Sequence, residues 1–178
     1  MALERMTREL SMAFVSTHVN PSLELRYMNT GFIGKDNGDE DRIDFTSFSH
    51  RRLYRNAKES DQNEISYFVT EHPDEPDTKV LARREQNRID EDPRTGGKSQ
   101  ILLENVEGFN LEYFDPLLSD WVQTWDTIDA LAQPNRLPSH VRILLEVRDP
   151  RREGRTEAFG TQVAIPISYA LNHANYNP

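Results

Sequence analysis

Two stretches of the chain alternate between apolar and polar residues, which is the pattern of a strand with one buried face. The first places Phe109, Leu111 and Tyr113 on one side. The second, over residues 141–147, sets valine, isoleucine and leucine against charged residues, and only Leu144 interrupts the polar side. Because antiparallel sheets are commonly packed on one face and solvated on the other, we predict that both stretches are antiparallel strands.

The first nineteen residues predict an amphipathic helix. Apolar side chains recur at spacings of three and four between Leu3 and Phe14, which forms one stripe along a helix. Asn20-Pro21 would end this helix, since proline lacks a backbone N–H and restricts the residue before it. We expect the stripe to pack on the sheet. Met12 and Val15 lie outside it, so they are the candidates for contact with a partner protein.

Shorter alternating runs predict the remaining strands. They cover residues 41–49, 64–70, 80–84 and 156–167, with a less regular run over 23–33. The 64–70 and 80–84 strands should form a hairpin, and Asn37-Gly38 in an acidic loop is a strong turn signal. Residues 87–100 are predicted to be a polar loop, and residues 168–178 a frayed tail.

Together these elements predict an α+β fold, with one N-terminal helix of about residues 1–19 packed on a mostly antiparallel β-sheet. At 178 residues, the chain is expected to form a single domain over 1–178, with a β-rich head of about 23–170. The formal net charge of −9 disfavours binding to nucleic acid or anionic lipid. There is no cysteine, which excludes disulfides and thiol chemistry.

The sequence contains no complete motif for a metal, a phosphate or a nucleophile. An EF-hand with Gly38 in sixth place would require an acid at Ile33. The segment Gly96-Gly97-Lys98-Ser99 ends like a phosphate-binding loop, but Asp92 occupies the position of the first glycine. The five histidines lack metal-ligand spacing, and no G-x-S-x-G occurs. We therefore predict no catalytic residue, no metal and no cofactor.

One pair of residues supports an alternative. Trp121 and Trp125 are four residues apart, a spacing that puts both indoles on the same side of a strand or a helix. Asp115, Asp120 and Asp126 flank them. Tryptophans with paired carboxylates would suit a glycoside hydrolase or a carbohydrate-binding module, whereas two tryptophans in a sheet core need no ligand.

The order of these segments resembles one protein family. The segments that carry the resemblance are LLENVEGF, LEYFD, the Trp-x-x-x-Trp pair and LPSHVRILLEV, in that order within residues 101–147. ALERMTREL near the start resembles the end of the family's long N-terminal helix, and GFIGKDNGDEDRIDFTSFS resembles its early sheet segment. Over nearly its whole length the chain resembles the periplasmic domain of a J-type minor pseudopilin of bacterial type II secretion.

The resemblance implies a structural role without catalysis. It implies assembly with I-type and K-type minor pseudopilins at the tip of a pseudopilus, which supports the export of folded exoproteins. The helix side should meet the I-type subunit. Such proteins are anchored in the inner membrane by an apolar helix that is cleaved and methylated at its start. No apolar run here approaches the roughly 20 residues that span a bilayer, so the chain is expected to begin after that helix, with Met1 introduced. A minor pilin of a type IV pilus is the alternative within the same architecture.

Overall fold

The computed structural model describes residues 1–17, 29–52, 54, 56–149, 151–152 and 154–171. Within these residues the chain forms one helix and ten strands. They are α1 (Ala2–Leu10), β1 (Phe32–Lys35), β2 (Arg42–Ser47), β3 (Asn63–Glu71), β4 (Lys79–Gln86), β5 (Lys98–Glu104), β6 (Val106–Asp115), β7 (Asp120–Val122), β8 (Trp125–Asp126), β9 (His140–Arg148) and β10 (Thr156–Ala164).

The strands form two antiparallel sheets. One has six strands in the order β5-β4-β3-β2-β1-β8, and the other has four in the order β10-β9-β6-β7. Every pairing between these strands is antiparallel. The prediction of an α+β fold with a helix and mostly antiparallel sheet is confirmed.

The core lies between the two sheets and under α1. The alternating stretches contribute as predicted, because Phe109, Leu111 and Tyr113 are buried from β6 while Leu144 is exposed on β9. The six-stranded sheet contributes Phe45 and Tyr67 to the same cluster. Aromatic rings fill much of the space: Phe32 packs against Phe45 and Tyr113, and Tyr113 packs against Trp125.

The prediction of a helix over residues 1–19 is wrong in its length, because α1 ends at Leu10. After the helix the backbone joins the six-stranded sheet. Ala13 forms a bridge with Ser47, and the Phe14 N–H donates to the carbonyl of Thr46 at 3.0 Å. These pairings replace helical hydrogen bonds, although Ala13 and Phe14 are buried as the stripe predicted. Residues 18–28, with the predicted stop at Asn20-Pro21, lie outside the described residues.

The predicted β3–β4 hairpin and the turn at Gly38 are confirmed. Two predictions about irregular segments are wrong. The loop predicted over residues 87–100 ends early, since β5 begins at Lys98. The tail predicted from residue 168 is ordered as far as Leu171, whose N–H donates to the carbonyl of Val15 at 2.8 Å. Residues 172–178 lie outside the described part of the chain.

Candidate interaction surface and the polar network behind it

A buried ion pair attaches α1 to the six-stranded sheet. Glu9 on the helix and Arg83 on β4 are 1% and 2% exposed. The two nitrogens Nε and Nη2 of Arg83 donate to the two carboxylate oxygens of Glu9 at 2.9 Å each. The Tyr67 hydroxyl donates to Glu9 Oε2 at 2.5 Å, and the Arg5 guanidinium donates to Oε1 at 3.2 Å. Burial and the Glu9 carboxylate both raise the pKa of Tyr67, so the phenol stays protonated and keeps donating.

The network continues from Arg83 to the segment after β2. Arg83 Nη1 donates to Glu85 Oε2 at 2.7 Å, and the Asn63 amide donates to Glu85 Oε1 at 2.8 Å. The His50 ring lies between two carboxylates, with Nδ1 at 3.0 Å from Glu85 Oε1 and Nε2 at 3.0 Å from Glu59 Oε2. One connected set of charges therefore runs from the helix across β4 to residues 50–59.

The electrostatics of this set favour its charged form. Burial alone would raise the pKa of Glu85, but hydrogen bonds from His50, Asn63 and Arg83 outweigh it and bring the pKa to about 2. Burial alone would lower the pKa of His50, but its hydrogen bonds to Glu85 and Glu59 outweigh burial and raise it. These groups surround a polar cavity of about 400 Å³. The Glu9 and Glu85 carboxylates already accept hydrogen bonds from Arg83 and other donors. The arrangement therefore holds α1, β4 and the segment after β2 together.

A second polar cluster lies on the opposite face of the same sheet. Arg42 donates to both oxygens of Asp44 at 2.7 and 2.8 Å, and the Arg84 guanidinium donates to the carbonyls of Pro93 and Thr95. Glu64 Oε1 accepts from the N–H of Asp90 at 2.9 Å. Burial is the main cause that raises the pKa of Glu64 to about 7. This cluster fastens the segment between β4 and β5 onto the sheet.

The structure separates the two residues predicted to contact a partner. Met12 is half-buried in the turn that follows α1, and its carbonyl accepts the N–H of Phe48 at 3.1 Å. Val15 is 3% exposed and belongs to the hydrophobic core. Their positions relative to the stripe predict both on the outer side of a helix. Neither residue lies in α1, and the backbone after Leu10 directs Val15 into the interior. The partner contact itself stays a prediction, and only Met12 remains partly accessible for it.

The two tryptophans do not share a face, and that prediction is wrong. Trp121 lies on β7 in the four-stranded sheet, whereas Trp125 lies on β8 in the six-stranded sheet. The residues between them carry the chain from one sheet to the other. Trp125 is fully buried and its indole N–H donates to the carbonyl of Arg136 at 3.0 Å. Trp121 is half-buried, packs against Phe114 and lies under the Arg142 guanidinium.

The acids beside the tryptophans have structural roles. Arg136 donates to both oxygens of Asp115 at 2.6 and 2.7 Å, and this pairing is the main cause that lowers the pKa of Asp115. Asp126 accepts from the N–H groups of Ile128 and Asp129, which closes a turn. These contacts account for Asp115 and Asp126 without a sugar ligand.

The acidic loop before β2 is exposed from Lys35 to Asp39, and only its last residue, Asp41, is buried. Asp41 is 3% exposed, and its Oδ2 accepts the N–H of Leu111 at 2.7 Å. Burial is the main cause that raises the pKa of Asp41. The loop thereby connects the six-stranded sheet to β6 of the four-stranded sheet. Among the described residues no group of three or more acids or histidines is placed to hold a metal ion.

An apolar groove opens at the start of α1, where the two sheets approach each other. It has a volume of about 660 Å³. Its apolar lining comes from four elements and includes Leu3, Leu103, Leu145, Val147 and Phe159. Periodicity within single segments could not reveal this groove, because it forms only when helix, sheet edges and β9 come together. The alternation of β9 and β10 did identify which side chains face it.

Comparison with known proteins agrees with this architecture. Residues 1–155 match the family described as "Type II secretion system (T2SS), protein J". Among solved structures, the chain is similar to one in the crystal structure of the GspK–GspI–GspJ complex of the type 2 secretion system of enterotoxigenic Escherichia coli. The identity is 12%, the TM-score is 0.59, and the match covers 92% of each chain.

No curated protein matches the sequence. No helix among the described residues is long and apolar enough to cross a membrane. The family match extends from α1 through β9 and includes the segments from which the resemblance was drawn. The chain therefore belongs to the type II secretion system protein J family, the J-type minor pseudopilins that its sequence resembles.

Proposed function

We propose that this chain is a non-enzymatic structural subunit at the tip of a type II secretion pseudopilus. It assembles there with I-type and K-type minor pseudopilins and supports the export of folded proteins. The family match over residues 1–155 carries this proposal. The similar solved chain comes from a complex of GspK, GspI and GspJ, which supports the choice of partners.

The proposal places the chain in the periplasm, as the head of a protein anchored in the inner membrane. The net charge of −9 suits a surface that does not bind nucleic acid or anionic lipid. The charged residues support a structural role, because Arg83 donates to both Glu9 and Glu85 and so links α1 to the sheet.

Part of the partner contact falls at the end of α1. Met12 is the half-buried apolar residue there, and the polar side chains of Arg8 and Ser11 lie nearby on the helix end. An apolar residue rimmed by polar ones is typical of a subunit interface. A charge at Met12 should weaken association with the I-type subunit. Val15 is not part of this contact, because it packs in the core.

The proposal is tested by deleting the gene in its own organism and measuring the export of folded proteins into the medium. Export should stop and should return when the wild-type chain is supplied. The variant His50→Gln should restore it as well, because the proposal assigns no catalytic proton transfer to the histidine between Glu59 and Glu85. Undiminished export without the gene contradicts the proposal, and loss of export in a folded His50→Gln variant contradicts its non-enzymatic part.

A further inference from the structure

Among the residues that the structure describes, β10 is the last strand and a free edge of the four-stranded sheet. It spans nine residues, and its one strand partner in this part of the chain is β9. The pairing keeps one register from Thr156↔Arg148 to Ala164↔His140 without a bulge. A long, regular edge strand presents a row of unpaired backbone groups that another chain can pair with.

The flanking hydrogen bonds show which groups point outward. The Asp149 N–H donates to Arg155 at 2.8 Å, and the Ile165 N–H donates to Ser139 at 2.9 Å. In an antiparallel pair, hydrogen-bonded residues alternate with residues whose groups point away. The odd-numbered residues of β10 therefore bond to β9. The outward N–H and C=O groups belong to Thr156, Ala158, Gly160, Gln162 and Ala164.

These outward groups are accessible. Ala158, Gly160 and Gln162 are all exposed, and because glycine has no side chain the exposure of Gly160 is that of its backbone. A Cβ built on Gly160 would come no closer than 3.8 Å to any other atom. Among the described residues, no strand lies on the outer side of β10, and no loop or turn hydrogen bond involves the N–H groups of these three.

Most of the edge also lacks the devices that usually prevent pairing. Glu157 is the one charged residue of β10, and the following sequence from Ala158 to Ala164 is AFGTQVA, with no proline and no charged residue. The other long free edge, β5, is shorter, carries charged residues at both ends, and is paired to β4 through a register shift at Leu81/Ala82. Bulges and charges of this kind protect an edge from a second chain. Of these two edges, β10 is the one suited to accept a strand.

The apolar groove lies on the inner side of this edge. Phe159 belongs to β10, is 47% exposed and lines the groove together with Leu3 and Leu103. A strand added beside β10 would place the residue opposite Phe159 on the same face of the sheet, directly over the groove. Backbone pairing gives affinity in such strand addition, and pockets for alternate side chains give specificity.

We propose that the β10 edge binds an extended segment of a partner protein, which adds an antiparallel fifth strand to the sheet and inserts a large apolar side chain beside Phe159. The inference deepens the proposed function and rests on it, since the partner is then another pseudopilus subunit.

We expect the partner's segment to carry an acidic residue that lies near the Thr156 end of β10. Three arginines line that end of the groove. Arg148 pairs with Glu107 and Arg152 with Asp149, but Arg151 has no carboxylate partner among the described residues. A carboxylate on the incoming strand would supply one. A second copy of this chain is a poorer occupant, because each copy has a net charge of −9 and two copies would repel each other.

The test removes the outward N–H groups and leaves the bonds to β9 intact. In the double variant Ala158→Pro with Gln162→Pro, both prolines stand at outward positions, where an edge strand tolerates them. The matched control, Ala158→Val with Gln162→Thr, changes the same side chains and keeps both N–H groups. Affinity for the complex of I-type and K-type subunits should fall about tenfold or more in the proline variant and stay near wild type in the control.

Three outcomes overturn the inference. The first is a folded proline variant that binds as tightly as wild type. This result would rule out the contact at the β10 edge and leave the proposed function unaffected. The second is a wild-type chain that binds no pseudopilin at all, which overturns both. The third is a wild-type chain that dimerises alone through this edge, seen as a doubled mass by light scattering that the proline variant loses.

If the proline variant has a lower melting temperature than wild type, hydrogen exchange on the wild-type chain tests the inference instead. Backbone amides of Ala158, Gly160 and Gln162 should exchange more slowly in the complex than in the free chain. Equal exchange rates in the two states overturn the inference.

Discussion

At the scale of single residues, buried charges hold the helix in place. The Glu9 carboxylate accepts five hydrogen bonds from four residues: two from Arg83 and one each from Tyr67, Arg5 and Arg8. A buried ion pair contributes little relative to well-packed apolar residues, but removing one partner leaves the other charge buried without compensation. The position of α1 is therefore sensitive to any single member of this pair.

Replacing Glu9 with alanine should lower the free energy of unfolding by about 3–5 kcal/mol, because Arg83 would keep its burial and lose both bonds to the carboxylate. Denaturant unfolding measures the change. Glu4→Ala is the matched control on the same helix, since Glu4 is exposed, and it should change stability by no more than about 0.5 kcal/mol. Equal effects of the two substitutions would contradict the buried network.

His50 should make stability depend on pH. Its hydrogen bonds to Glu85 and Glu59 raise its pKa above the ordinary 6.5 in the folded state. The stabilisation by the charged ring is therefore fully present below pH 6.5 and is lost as pH rises through the raised pKa. The pKa of Glu85 falls from 4.5 to about 2, so its contribution is lost only as pH falls below 4.5.

Melting temperatures measured between pH 5 and pH 9 test this assignment. The wild-type chain should lose stability across the upper part of that range, and His50→Gln should lose less. His140→Gln serves as the control and should follow the wild-type profile. A profile that His50→Gln leaves unchanged would show that the imidazole is not the titrating group.

At the scale of elements, the segment from β7 to β8 connects the two sheets and gives its two tryptophans different roles. Trp125→Ala should cost about 3–5 kcal/mol, because the indole is fully buried against Tyr113. Trp121→Ala should cost about 1 kcal/mol, because that ring is half-exposed. Chemical denaturation of both variants measures the difference. Similar costs at the two positions would contradict the different burial of the two indoles.

The close approach of β1 to β6 depends on Gly34. A Cβ built there would lie 2.6 Å from Tyr113 Cε2, and Tyr113 is fully buried and cannot move aside. Gly34→Ala should therefore destabilise the fold by about 1–3 kcal/mol through overpacking. Gly160→Ala on β10 is the control, with its nearest neighbour at 3.8 Å, and its melting temperature should stay close to wild type.

Sequence patterns predicted which helices and strands exist better than where each of them begins and ends. Alternation identified β6 and β9 because each has one buried face. The apolar stripe between Leu3 and Phe14 contains residues that are buried, among them Met6, Leu10 and Ala13. A stripe cannot show that the chain leaves the helix after Leu10 to pair with β2. Asn105, at φ 60°, lies at the turn where the chain passes from β5 in one sheet to β6 in the other. The hydrophobicity of the neighbouring residues does not indicate this change of sheet.

At the scale of the whole molecule, the interaction features come from parts distant in sequence. The network joins Glu9 to Glu85, and the apolar groove joins Leu3 to Phe159. Neither could be predicted from local patterns, since each depends on how the sheets meet. The family resemblance was predictable, because it rests on the order of strands, and the match over residues 1–155 confirms it.

The central claim is that this fold serves to assemble with other pseudopilins. The most direct measurement is the mass, by light scattering after size exclusion, of the purified chain mixed with the I-type and K-type subunits of its own secretion system. We expect a single species that contains all three chains, and less of it with Met12→Glu, a variant whose melting temperature should match wild type. Three separate peaks, each with the mass of a free subunit, would contradict assembly with these partners.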